Sequence, residues 1–158
     1  MPHFRPRYLA KTIGKRLKFF PVIGIQGARQ VGKSALVRDL LSKLIKNFHY
    51  ETFDQQTVRQ FAQSNPESFL EAKMQRDGTL AIDEAQKVPA IFDAVKYVVD
   101  KRRVPGQFIL LGSTEFSKKT LIHESLTGRI GMLRLFPFLI MKRREKKVCP
   151  VIVLLVLR

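Results

Sequence analysis

The run Gly27-Ala28-Arg29-Gln30-Val31-Gly32-Lys33-Ser34 sets two glycines, a lysine and a hydroxyl at the spacing of a phosphate-binding loop. Gly27 and Gly32 permit backbone turns that let successive N–H groups point inward. Lys33 would reach the outer phosphates, and the Ser34 hydroxyl would hold a Mg²⁺ ion. The helix that starts there adds the positive end of its dipole. The candidate nucleotide contacts are therefore Gly27, Ala28, Arg29, Gln30, Val31, Gly32, Lys33, Ser34 and Ala35. The plain alternative, a chance glycine turn, sits poorly with the correct flanks: an apolar run before and a helical pattern after.

A second group of chemical residues is Asp83-Glu84, which ends the apolar run Leu80-Ala81-Ile82. Asp83 would bind Mg²⁺, directly or through water, and Glu84 would polarise the water that attacks a γ-phosphate. Alone, such a pair could be only a helix cap; beyond a phosphate loop and an intervening strand it reads as the Walker B partner of a Walker A loop. A third candidate is Ser113, with Thr114 as the alternative, at the tip of the next apolar strand. That strand is expected between the phosphate-loop strand and the Asp83 strand, so its tip would face the attacking water; an ordinary turn is the other reading. The fourth is Arg129. Its guanidinium could stabilise charge on the γ-phosphoryl, within the chain or across a subunit contact in a homo-oligomer, or simply face solvent.

Three activities follow from these groups. The first is Mg²⁺-dependent ATP hydrolysis, with Glu84, Lys33, Ser113 and Arg129 catalytic and Ser34 and Asp83 on the metal. The second is nucleic-acid binding by a remnant that binds ATP with little turnover. The third is phosphoryl transfer to a small molecule, which the Asp83-Glu84 pair disfavours because it suits water as acceptor. The chain has no Asn-Lys-x-Asp guanine-reading motif, so ATP is expected rather than GTP. His3, His49 and His123 have no metal-ligand spacing.

The elements that must carry these residues alternate. Arg7 to Phe20 reads as an amphipathic helix with Leu9, Ile13, Leu17 and Phe20 on one face and basic residues mostly elsewhere, stopped by Pro21. Val22 to Ile25 is a strand leading into the loop. Lys46 to Phe53 alternates as a second strand, with Asp54 as the expected cap of a helix through Val58 and Phe61. Ser64 or Asn65 would cap another helix with Pro66 in its first turn. Thr79 to Ile82 is a third strand, Pro89 opens a helix, and Phe108 to Leu111 is a fourth strand. Ser117 would cap a short helix before a fifth strand, Ile130 to Phe136. Near-continuous apolar strands separated by helices predict an α/β P-loop NTPase fold, a parallel sheet of about five strands covered on both faces.

A chain of 158 residues with 45% apolar content can build one such domain, and its net charge of +16 exceeds what an ATP site requires. Nucleic acid, an acidic partner or a membrane surface are the usual matches for that charge, beside a plainly solvated basic surface. The single cysteine, Cys149, excludes an internal disulfide and fits a reducing, cytoplasmic setting. The N-terminus does not read as a signal peptide, and no run approaches the roughly 20 apolar residues of a spanning helix.

With these signals in order, the chain resembles prokaryotic AAA+-like ATPases that carry an N-terminal P-loop domain and a separate, often nuclease-like, C-terminal domain. The resemblance runs from Arg7-Tyr8-Leu9 through the phosphate loop, Asn65-Pro66-Glu67, Ile82-Asp83-Glu84-Ala85-Gln86 and Leu126-Thr127-Gly128-Arg129 to Phe136-Pro137. It implies phosphate and Mg²⁺ binding by Lys33 and Ser34, metal and water roles for Asp83 and Glu84, and sensor-like roles for Ser113 and Arg129. It divides the chain into a basic helix packed on the core at 1–21, an ATPase domain at 22–138 and a basic, apolar tail at 139–158. From Met141-Lys142-Arg143-Arg144 onward the pattern departs from the family, as expected of a truncated or frame-altered product.

Overall fold

Five of the apolar runs lie side by side in the computed structural model, which describes residues 8–74, 77–113, 126–135 and 154–155. They are β1 (Val22–Gly27), β2 (Phe48–Thr52), β3 (Thr79–Asp83), β4 (Phe108–Gly112) and β5 (Ile130–Leu135). All five are parallel, in the order β2-β3-β4-β1-β5. Every residue of β1, β3 and β4 is buried, as expected for central strands with both faces covered. A two-residue strand from the tail, β6 (Leu154–Leu155), adds antiparallel to β5, so the sheet has a sixth, edge strand that the sequence pattern does not announce.

Alternation of side chains along each strand divides the core in two. Val22, Leu80, Ile82, Phe108, Leu110 and Met132 point to one face, where they meet Phe69, Leu70, Phe92, Val95 and Val99. Those partners come from α4 (Pro66–Lys73) and α5 (Ala90–Lys101), with α3 (Gln56–Ser64) beside them. Ile23, Ile25, Ile109 and Leu133 point to the other face, against Ile13 of α1 (Tyr8–Arg16), Leu17 in the turn after it, and Leu36, Val37 and Leu41. The last three follow α2 (Lys33–Ala35), in a π turn at Leu36–Leu40 and a 3-10 turn at Leu41–Lys43.

Two cap expectations have different outcomes. Asn65 caps α4, its Oδ1 accepting from the Ser68 N–H at 2.9 Å, with Pro66 in the first turn. Asp54 does not cap α3. Gln55 occupies that position without a side-chain bond, and the Asp54 carboxylate instead pairs with the ammonium of Lys87. The 3-10 turn Ala85–Lys87 after β3 brings that cation within reach, and a charge-assisted bond displaces the local one. The expected helix after Ser117, the strand end at Phe136 and the Lys142 to Lys147 run lie outside the described residues, as do Thr114, His3, His123 and Cys149.

Phe69 is the hinge of the helical layer. Its buried ring lies 5.6 Å from that of Phe53 and 5.7 Å from that of Phe61, the latter edge to face. Phe69→Ala is expected to cost about 3–5 kcal/mol of stability, measured by denaturant unfolding.

Candidate nucleotide-binding site

Parallel strands deliver all their carboxyl ends to one edge of the sheet, where α/β folds bind ligands. In the order β3-β4-β1, the loop after Gly27, the tip of β4 at Ser113 and the end of β3 at Asp83-Glu84 are neighbours. Thus β4 does separate the phosphate-loop strand from the Asp83 strand.

Within the loop, Gln30 and Gly32 take left-handed backbone conformations, φ +62° and +80°. Successive turns of this kind aim N–H groups into a concave anion nest. Gly27 serves another purpose than the turn expected of it. It lies within β1, and a Cβ there would approach the Leu135 carbonyl oxygen to 2.5 Å, so glycine is required by the close passage of β5. Lys33, only 6% exposed, donates from Nζ to the carbonyls of Gly27 at 2.9 Å and Ala28 at 2.8 Å. These bonds hold its ammonium across the mouth of the nest.

Asp83 is 4% exposed, and its carboxylate gathers donors from three elements. The Ser34 hydroxyl donates to Oδ2 at 2.5 Å, the Tyr50 phenol donates to the same oxygen at 2.6 Å, and the Glu84 N–H donates to Oδ1 at 2.9 Å. Burial, reinforced by the bond to Asp83, pushes the Tyr50 phenol far above its ordinary range, so it remains a donor at neutral pH. Tyr50 was missed in the sequence because nothing local marks it. The available signal was that β2 alternates, so Tyr50 shares a face with Phe48 and Thr52 beside whichever strand pairs with it; that strand is β3.

Glu84 departs from the strand through a left-handed residue, φ +54°. Its Oε2 accepts from the Gln86 side-chain N–H at 2.5 Å, which orients the carboxylate. Gln86 is thus a second contributor that residue type alone did not single out. Ser113 is half-buried directly after β4.

Arg129, expected beside the other candidates, is not brought to this edge. It precedes β5, and a residue that precedes a parallel strand sits at the amino edge. Strand β1 spans Val22 to Gly27 between the two edges, about 17 Å at the usual rise per residue. There Arg129 makes a two-pronged pair with Asp100, Nε to Oδ1 at 2.6 Å and NH2 to Oδ2 at 2.9 Å. Its hydrogen bonds hold the Asp100 carboxyl below the usual carboxylate range.

Residues 20–142 match the family model described as an AAA domain. The chain belongs to that family. The AAA domain is 30% identical over 129 residues to the uncharacterized proteins Mb2031c of Mycobacterium bovis and Rv2008c of Mycobacterium tuberculosis. Each match covers 82% of this chain, which spans 28% of the length of those curated relatives. Among solved structures, the AAA domain is similar to the Walker-type ATPase PABY2304 of Pyrococcus abyssi, with a TM-score of 0.52 and 18% identity. That alignment covers 85% of this chain and 57% of the other, and it bears on the fold, which is that of the P-loop ATPases. Among the described residues, no helix is long and apolar enough to cross a membrane, and no group of three or more acidic, histidine or cysteine residues forms a metal cluster.

Tyr50→Phe removes one donor from a buried carboxylate while keeping the ring. It is expected to lower stability by about 1.5–3 kcal/mol, the worth of a hydrogen bond to a charged group, read by denaturant unfolding.

Proposed function

We propose that this AAA domain binds ATP with Mg²⁺ and hydrolyses it to ADP and phosphate. The observation that carries the reading is the 2.5 Å contact of the Ser34 hydroxyl with the Asp83 carboxylate, next to Lys33 at the mouth of the loop nest. A hydroxyl and a carboxylate that close together are oxygen donors of the kind a hard divalent cation takes, so the residues fit Mg²⁺. Bound there, the ion would neutralise phosphate charge and polarise the phosphoryl group. The loop N–H groups would bind the phosphate oxygens, and Lys33 would exchange its two carbonyl acceptors for them.

Glu84 would accept a proton from the attacking water, with Gln86 setting the direction of its carboxylate. Ser113, at the tip of the intervening strand, would orient that water or the γ-phosphate. The location we propose is the cytoplasm, in keeping with a single cysteine. Transfer to a small molecule is distinguished by phosphate release without any added acceptor. The charge of +16 favours nucleic-acid binding as a second activity, away from the nucleotide site.

Arg129 can act on a γ-phosphoryl only on another copy of the chain, after leaving Asp100. That requires a homo-oligomer. Mixing Lys33→Ala chains with Arg129→Ala chains, each inactive alone, is then expected to restore measurable phosphate release. Mixtures as inactive as their components would remove Arg129 from the reaction.

The central test separates binding from turnover. Lys33→Ala is expected to lose binding of a fluorescent ATP analogue. Glu84→Gln is expected to keep binding but slow phosphate release about 100- to 10,000-fold. Wild-type protein that binds no ATP with Mg²⁺ at millimolar concentration would refute the proposal.

A further inference from the structure

The edge of the sheet opposite the nucleotide site carries features that ATP chemistry does not use. The turn after α1, the turn before β2 and the loops before β3 and β4 line an open cleft of about 360 Å³. That size is within the range of small-ligand pockets. Leu17, Ile45 and Met74 give it apolar walls, and Lys18, Lys46 and Arg102 stand around it. Arg102 is bonded to Asp77 at 2.7 Å, whereas Lys18 and Lys46 form no ion pair with any described residue.

A further observation distinguishes this face from a solvated basic surface. Large apolar groups stand open among the cations: Leu44 on the cleft wall is 59% exposed, and Phe19, next in the chain to Lys18, is 77% exposed.

Cations spaced around exposed apolar and aromatic surface match an unpaired nucleotide strand. Phosphates would take the cations, and a base would stack on the ring or enter the cleft. A duplex keeps its base faces stacked inside and would leave Phe19 and the cleft unused. We infer that the amino edge of the sheet, around Lys18, Phe19, Lys46 and Arg102, is a binding site for single-stranded nucleic acid. The inference stands apart from the ATPase reading, since the two sites lie at opposite ends of β1, about 17 Å apart along the strand.

The test is fluorescence anisotropy with a labelled oligo(dT) of about 15 nucleotides, a span that single-strand sites cover, titrated at several salt concentrations. Wild type is expected to bind with a steep salt dependence. Lys18→Ala and Lys46→Ala should each reduce the slope of log K against log salt by about 0.7. Phe19→Ala should weaken binding about tenfold and leave that slope unchanged. All three positions are exposed, so the variants should fold, and thermal melts will verify this. Binding of a fluorescent ATP analogue, measured in parallel, should be the same in wild type and variants, so loss of one activity is read independently of the other. The inference is overturned if wild type does not bind the oligonucleotide, or if the three variants bind it as wild type does. It is also overturned if a duplex of equal length binds as tightly, or if a free mononucleotide displaces the strand at equal nucleotide concentration.

Discussion

A buried carboxylate cannot stay without donors, and that constraint shapes the carboxyl edge of this sheet. Asp83 receives one hydrogen bond from the helix that follows the phosphate loop, one from β2 and one from the backbone of its own turn. Each donor belongs to a different part of the chain. Meeting the need of this one side chain therefore fixes how the loop, the second strand and the third strand stand relative to one another. The same contacts leave the Ser34 hydroxyl and a carboxylate oxygen side by side.

Much of this was legible in the residues. Continuous apolar runs separated by helical patterns led to a parallel sheet because strands covered on both faces have no reason to alternate. The loop spacing located the turn with left-handed Gln30 and Gly32, and the apolar strand located the Asp83 carboxylate that Ser34 meets. What was not legible depended on contacts between distant segments. Tyr50 acts on Asp83 across the β2–β3 pairing, which no local pattern encodes. Asp54 has the composition of a cap but finds Lys87 in space. The glycine at position 27 answers to the carbonyl of Leu135, more than a hundred residues later in the chain.

The place of Arg129 follows from strand direction. Once five strands are taken as parallel, anything just before a strand belongs to the amino edge and anything just after one belongs to the carboxyl edge. Glu84 and Ser113 follow their strands, and Arg129 precedes its own. Sequence spacing put all of them in one list of candidates; strand direction sorts them into two groups. The fold thus separates a carboxyl edge from an amino edge, and the central strand β1 joins them.

The left-handed backbone at Glu84 has a consequence for how this site is built. An L-residue held there costs about 1–2 kcal/mol, and glycine would avoid most of it. The chain accepts that local instability to place a carboxylate, rather than a hydrogen atom, just beyond Asp83. Folding preference and side-chain placement therefore pull in opposite directions at a single residue.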